Sequence, residues 1–217
     1  MEHFYSSQDM ARLHTDKCMG CGKCCRGMGD SIHLDPYDLF QLCKNLHTTA
    51  DELIRRGAIA FHTQEGLTLP HLAMSQETDA CTFLGENGLC SIHTFRPGIC
   101  RLFPLGRNYD ADTRSFQYFI VEDGCDIPGK AKVKISKWLG VDKLPAYEKY
   151  ISEWHYFIKD VQKKFAPDPI TGAVSDPEYL KQLSLFILKV FFLAPYDYEG
   201  SFYETFEIRL GQARSVL

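Results

Sequence analysis

Four of the nine cysteines fall in the eight residues CMGCGKCC, as Cys18, Cys21, Cys24 and Cys25. Two residues between a pair of cysteines close a turn tight enough for both sulfurs to face one centre. Zinc sites use that unit twice, and cubane iron–sulfur clusters use a ladder of three such cysteines plus a remote one. Cys18, Cys21 and Cys24 form the ladder. Cys25 points away from its neighbour Cys24 and could serve a second site or a bridge. The spacing is a strong signal for a metal and a weak one for which metal; the Cys-Pro continuation of bacterial ferredoxins does not follow Cys24.

A second block supplies the remote thiols: CTFLGENGLCSIHTFRPGICRLFPLGR, then VEDGC. Two short apolar arms around GENG predict a hairpin that brings Cys81 near Cys90. RPGIC predicts a short helix with Cys100 in its first turns. SFQYFIVEDGC alternates and predicts a strand that delivers Cys125. Cys43 stands apart. It lies in LDPYDLFQLCKNL, where Asp35 is an N-cap candidate, Pro36 a first helical residue, and Leu39, Leu42, Cys43 and Leu46 one apolar face. As a core residue it leaves eight thiols, enough for two four-ligand sites or one site with supporting groups. An odd total, an adjacent pair that cannot easily bond to itself and an expected reducing compartment argue against a disulfide framework. His93, three residues after Cys90, has zinc-ligand spacing but is read as a hydrogen-bonding neighbour, because thiols already suffice for four-coordination. No single cysteine is isolated enough to mark a nucleophile.

Lys17, Lys23 and Arg26 flank the first block, and Arg96, Arg101 and Arg107 the second. Cations lower thiol pKa and offset the negative charge of a thiolate site. With 24% charged residues in the chain, six nearby cations are also ordinary, so they carry modest weight.

The elements that must position these thiols come from an unexceptional composition: 217 residues, 45% hydrophobic, formal net charge -4. Such a chain can bury a core without staples, and its charge gives no general attraction to nucleic acid or an anionic membrane. KAKVKISKWLGV, though lysine-rich, is read as a solvated helix face. The expected fold is α+β: an irregular β/loop metal-binding half, residues 1–130, and a mainly helical half, residues 131–217. In the first half a helix is expected from Thr48 or Thr49, running on towards a strand, with a second strand in EGLTLPHLAM. In the second, Ile151, Trp154, His155, Ile158 and Val161 or Gln162 make a helical stripe, and APDPITGAVSDPE is the one Pro/Gly-rich linker. LSLFILKVFFLA, 12 residues long and interrupted by Lys189, is too short for a span and is read as a buried core helix. MEHFYSSQDM has no basic and apolar signal pattern, so a cytoplasmic location is expected. His33, His62 and His71 lack paired ligand spacing, and Asp35, Asp38, Asp51 and Glu52 are read as caps and solvated faces. Phosphate-binding loops, dinucleotide fingerprints and nucleophile elbows are absent.

Taken together, CMGCGKCC, the following C-x8-C-x-x-H, RPGICRLFP and C-x-x-PGK resemble the CxxCxxCC cysteine-cluster family, described as chelating zinc or iron. The resemblance runs from Lys17 to about Lys130, and flagellin lysine N-methylases carry a similar domain. It implies metal ligands drawn from Cys18, Cys21, Cys24, Cys25, Cys81, Cys90, Cys100 and Cys125. Relatives often read CPGIGKG after the last cysteine, where this chain has CDIPGKAK. The methylase relatives are longer, so their activity is not carried over. An iron–sulfur cluster of the 4Fe-4S type is favoured, because the ladder, the vicinal pair and the surplus thiols exceed what one structural zinc needs; zinc is the alternative. The expected role is redox or assistance to group transfer onto a protein side chain. The alternative is a zinc-held module that meets a protein partner without catalysis.

Overall fold

The computed structural model describes residues 3–14, 22–121, 130–168 and 176–217. Cys18, Cys21 and Cys125 lie outside them. In chain order the elements are strand β1 (Met10–His14), helices α1 (Pro36–Leu46) and α2 (Ala50–Arg55), strands β2 (Ile59–Gln64) and β3 (Leu67–Leu72), helix α3 (Gly98–Leu102), strands β4 (Leu105–Asp110), β5 (Ser115–Ile120) and β6 (Lys130–Lys134), and helices α4 (Ile135–Leu139), α5 (Leu144–Lys164), α6 (Pro177–Ile187) and α7 (Phe202–Ser215). The fold is α+β, with helix dominating the C-terminal half, as expected. Its described strands form three two-stranded antiparallel sheets, β1–β6, β2–β3 and β4–β5.

Helix α1 begins where the sequence expects, with Pro36 at its first position. Asp35 accepts the Asp38 backbone N–H (2.8 Å) and Asp38 accepts that of Asp35 (3.1 Å), a reciprocal cap. Asp38, expected as a cap or on a solvated face, is part of the cap, but it is 4% exposed rather than solvated. Its other carboxylate oxygen accepts the backbone N–H of Gly98 at 2.7 Å, so one side chain starts α1 and holds the start of α3. Thr49 caps α2, accepting from the Glu52 N–H.

The long helix α5 buries Tyr147, Tyr150, Ile151, Trp154, Phe157 and Val161 along one broad stripe. Aromatic side chains of α7 and of the π-helical segment Leu188–Leu193, which continues α6, pack on it. Tyr150 meets Phe206 edge-on at 4.6 Å between centroids, and Trp154 meets Phe191 at 5.1 Å. Tyr37 of α1 reaches the same cluster through Phe202 at 5.0 Å. In LSLFILKVFFLA, Leu183, Ile187, Leu188, Phe191 and Phe192 are buried, whereas Leu185 and Leu193 are exposed, so the run is amphipathic rather than buried all round. Among the described residues no helix is long and apolar enough to cross a membrane.

Two further expectations require correction. The lysine run KAKVK is strand β6, not a helix: it pairs with β1, Ala11 opposite Val133 and Leu13 opposite Ala131. Alternation explains the outcome, since Ala11 and Leu13 are each 1% exposed while Met10, the first residue of β1, is 50% exposed. The arms around GENG form no strands. They make a turn closed by Gly85 N–H to Leu89 O (2.9 Å) and an isolated bridge between Leu84 and Cys90.

Candidate metal centre

Gly22, in the left-handed region at φ 68°, enters a single 3-10 turn, Lys23–Cys25, closed by Cys25 N–H to Gly22 O at 2.9 Å. That turn sets the Cys24 and Cys25 sulfurs 3.9 Å apart, both half-buried, so Cys25 does not point away from Cys24 as the sequence suggested: the tight 3-10 turn holds the two side chains on one side. The chain then zips onto the second block. Arg26 bridges Ala80, Gly27 N–H donates to Asp79 O (2.8 Å), and Cys81 N–H donates to Cys25 O (2.7 Å). From Cys81 the GENG turn returns the chain to Cys90, and a further turn, His93–Phe95, leads into α3 and Cys100. The Arg96 guanidinium braces this last stretch, donating to His93 O (2.6 Å) and to Cys100 O (3.4 Å).

The electrostatics show that these thiols share one neighbourhood. The Cys24 thiol is held down to about 6, chiefly by the hydrogen bond from the Cys25 thiol and, more weakly, by the Arg96 charge. Cys25 is pushed up by the same bond, by burial and by charge on Cys24, Cys81 and Cys90. Burial raises Cys81, with Cys90 and Cys24 adding to it. Burial and the Asp38 carboxylate raise Cys100, and Cys81, Cys24 and Cys90 add again. Cys25, Cys81 and Cys100 therefore resist ionising beside one another and beside Cys24. A bound cation reverses that resistance, because it favours the thiolate at every site it touches.

Of the eight thiols expected as ligands, Cys24 and Cys25 lie side by side and Cys81, Cys90 and Cys100 lie within electrostatic reach of them, while Cys18, Cys21 and Cys125 lie outside the described residues. Among the described residues no group of three or more His, Cys, Asp or Glu is arranged to hold a metal ion. The donors are soft and partly shielded, which suits zinc or iron. Cys43 sits in the core as expected, its thiol pushed up to about 11 by burial. His93 places Nδ1 3.3 Å from the Arg96 guanidinium, in keeping with a hydrogen-bonding neighbour.

The flanking cations separate into different roles. Arg96 acts on Cys24. Arg101 instead binds the carbonyls of Thr94 (2.8 Å) and Leu139 (3.2 Å). Arg107 lies among tyrosines, donating to Tyr147 Oη at 3.3 Å, and contributes nothing resolved to the thiols.

A family model described as "Putative zinc- or iron-chelating domain" matches residues 17–125, about half of the chain and the span that holds all nine cysteines. No curated protein and no solved structure matches the chain.

Proposed function

The chain belongs to the CxxCxxCC family, and on that footing we propose that it is a metal-binding cysteine-cluster protein whose centre is an iron–sulfur cluster of the 4Fe-4S type. The observation that carries this reading is the backbone joining of the two cysteine blocks, Cys81 N–H to Cys25 O at 2.7 Å, which supports a common centre for thiols drawn from separate stretches of chain. With Cys18, Cys21 and Cys125, the thiols Cys24, Cys25, Cys81, Cys90 and Cys100 make the eight candidate ligands. Such a cluster supplies one-electron chemistry when bound. The protein's own contribution is to gather the thiols, to shield them partly from water and to set Arg96 beside Cys24.

The activity that fits is redox, or assistance to group transfer onto a side chain of a protein partner, in a cytoplasmic setting where thiols stay reduced. Zinc is the second reading, since the family description covers both metals. Four thiolates would satisfy it, leaving a structural module without catalysis. X-ray absorption at the iron and zinc edges on anaerobically purified protein separates the two. Iron with both sulfur and iron neighbours supports the cluster. Zinc in a shell of about four sulfurs near 2.3 Å overturns it in favour of the second reading.

A further inference from the structure

Beside the thiols lies a cavity of about 290 Å³ that the sequence did not foreshadow. Helix α3 joins the two: Ile99 lines the cavity, and the next residue, Cys100, belongs to the thiol group. Its volume is at the low end for small-molecule sites.

Two polar atoms in its wall, Arg107 Nε and Gln162 Oε1, are buried and have no hydrogen-bond partner among the described residues. One is a donor and the other an acceptor, and leaving either unmet is costly. Arg107 is held by rings, its guanidinium carbon 5.4 Å from the Phe116 ring centre and 5.9 Å from that of Tyr147. The cavity's two carboxyls, Asp35 and Asp38, are engaged by backbone N–H groups, and burial raises both of their pKa values. His155, stacked on Tyr109 at 3.5 Å and pushed down to about 4 by burial, adds no charge. Burial lowers His33 as well, and His62 faces Asp30 at 2.6 Å. Lys159 completes the charged groups. The rest of the lining includes hydrocarbon and indole: Leu67, Leu69, Ile151, Trp154 and Ile158.

We propose that this cavity binds a small carboxylate with an apolar body and a hydrogen-bond donor at C2, a 2-hydroxy or 2-amino acid. The carboxylate meets the Arg107 guanidinium, the donor meets the Gln162 carbonyl oxygen, and the side chain lies against Leu69, Trp154 and Ile158. The site goes beyond the metal-centre reading and stands whichever metal the thiols hold.

The test is titration of the full chain with 3-phenyllactate and phenylalanine, beside 3-phenylpropanoate, which lacks the C2 donor, and 3-phenyllactamide, which lacks the charge. Trp154 fluorescence and calorimetry report binding. At least one of the first two should bind saturably, about tenfold or more tighter than either control, the discrimination expected of a buried charged hydrogen bond. Arg107→Gln should weaken binding by about tenfold or more. Leu69→Trp, which adds bulk to the cavity lining from β3, should abolish binding by calorimetry while circular dichroism shows a folded chain; this variant decides the matter should Arg107→Gln not fold. No saturable binding by either acid, equal binding of the amide, or undiminished binding to Leu69→Trp overturns the proposal.

Discussion

The backbone N–H of Cys81 donates to the carbonyl oxygen of Cys25 at 2.7 Å, so the two cysteine blocks, far apart in sequence, are joined within one residue of their thiols. Changing a thiol on either side should therefore disturb one common centre. Cys24→Ser, Cys81→Ser, Cys90→Ser and Cys100→Ser are each expected to weaken metal retention by about tenfold or more, whereas Cys43→Ser, in the core of α1, leaves metal content unchanged. Elemental analysis of the five variants after gel filtration in chelator checks this. Equal metal loss from Cys43→Ser would remove the distinction.

Asp38 closes the α1 cap and holds the first N–H of α3. Asp38→Ala leaves both backbone donors unmet and should cost about 2–4 kcal/mol in urea unfolding. Asp38→Asn keeps one acceptor oxygen and should cost less. Because Gly98 precedes Cys100 by two residues, the alanine variant should also retain less metal.

His155 is expected to make stability fall in mild acid. Its folded pKa of about 4 lies below the ordinary 6.5, through burial first and then Lys159 and Arg107. The unfolded chain thus takes up a proton between those values while the folded chain does not. Stability is complete above pH 6.5 and declines as pH drops towards 4. The ring is partly exposed, so screening limits the loss to about 1 kcal/mol. His155→Phe keeps the stack on Tyr109 and should flatten that part of the pH profile.

Arg209 closes the end of the π-helical segment, donating to the carbonyls of Val190 (2.7 Å), Ala194 (3.2 Å) and Pro195 (2.7 Å) while its guanidinium carbon lies 3.9 Å from the Tyr196 ring centre. Arg209→Ala should cost about 2–3 kcal/mol in thermal or urea unfolding, and Arg209→Lys should restore little, since an ammonium cannot reproduce the planar fork. Metal content should not change.

How much of this was legible in sequence varies with how local the cause is. The α1 cap, the start of α2, the α3 turn and the α5 stripe depend on neighbours a few residues away, and Asp35, Thr49, Pro97 and Trp154 announce them. Strand β6 was missed because KAKVK takes its partner from β1, far back in the chain, and lysines on a two-stranded edge look like those on a solvated helix. The spacing of the eight candidate cysteines led to the expectation of a common centre. What spacing could not reveal is the Cys81–Cys25 link, which is backbone to backbone. Arg107 looked like one more cation beside the cysteines; only the pairing of β4 with β5 and the packing of α5 turn it towards Tyr147 and the cavity. Asp38 is similar, since nothing local signals that its second oxygen meets Gly98.

The most direct measurement is the iron, zinc and acid-labile sulfide content of protein purified anaerobically without chelators. The account expects a brown protein with a broad absorption band near about 400 nm and iron and sulfide in roughly equal amounts, about four of each per cluster. A colourless protein carrying zinc alone contradicts the iron–sulfur assignment, and one carrying neither metal contradicts the account as a whole.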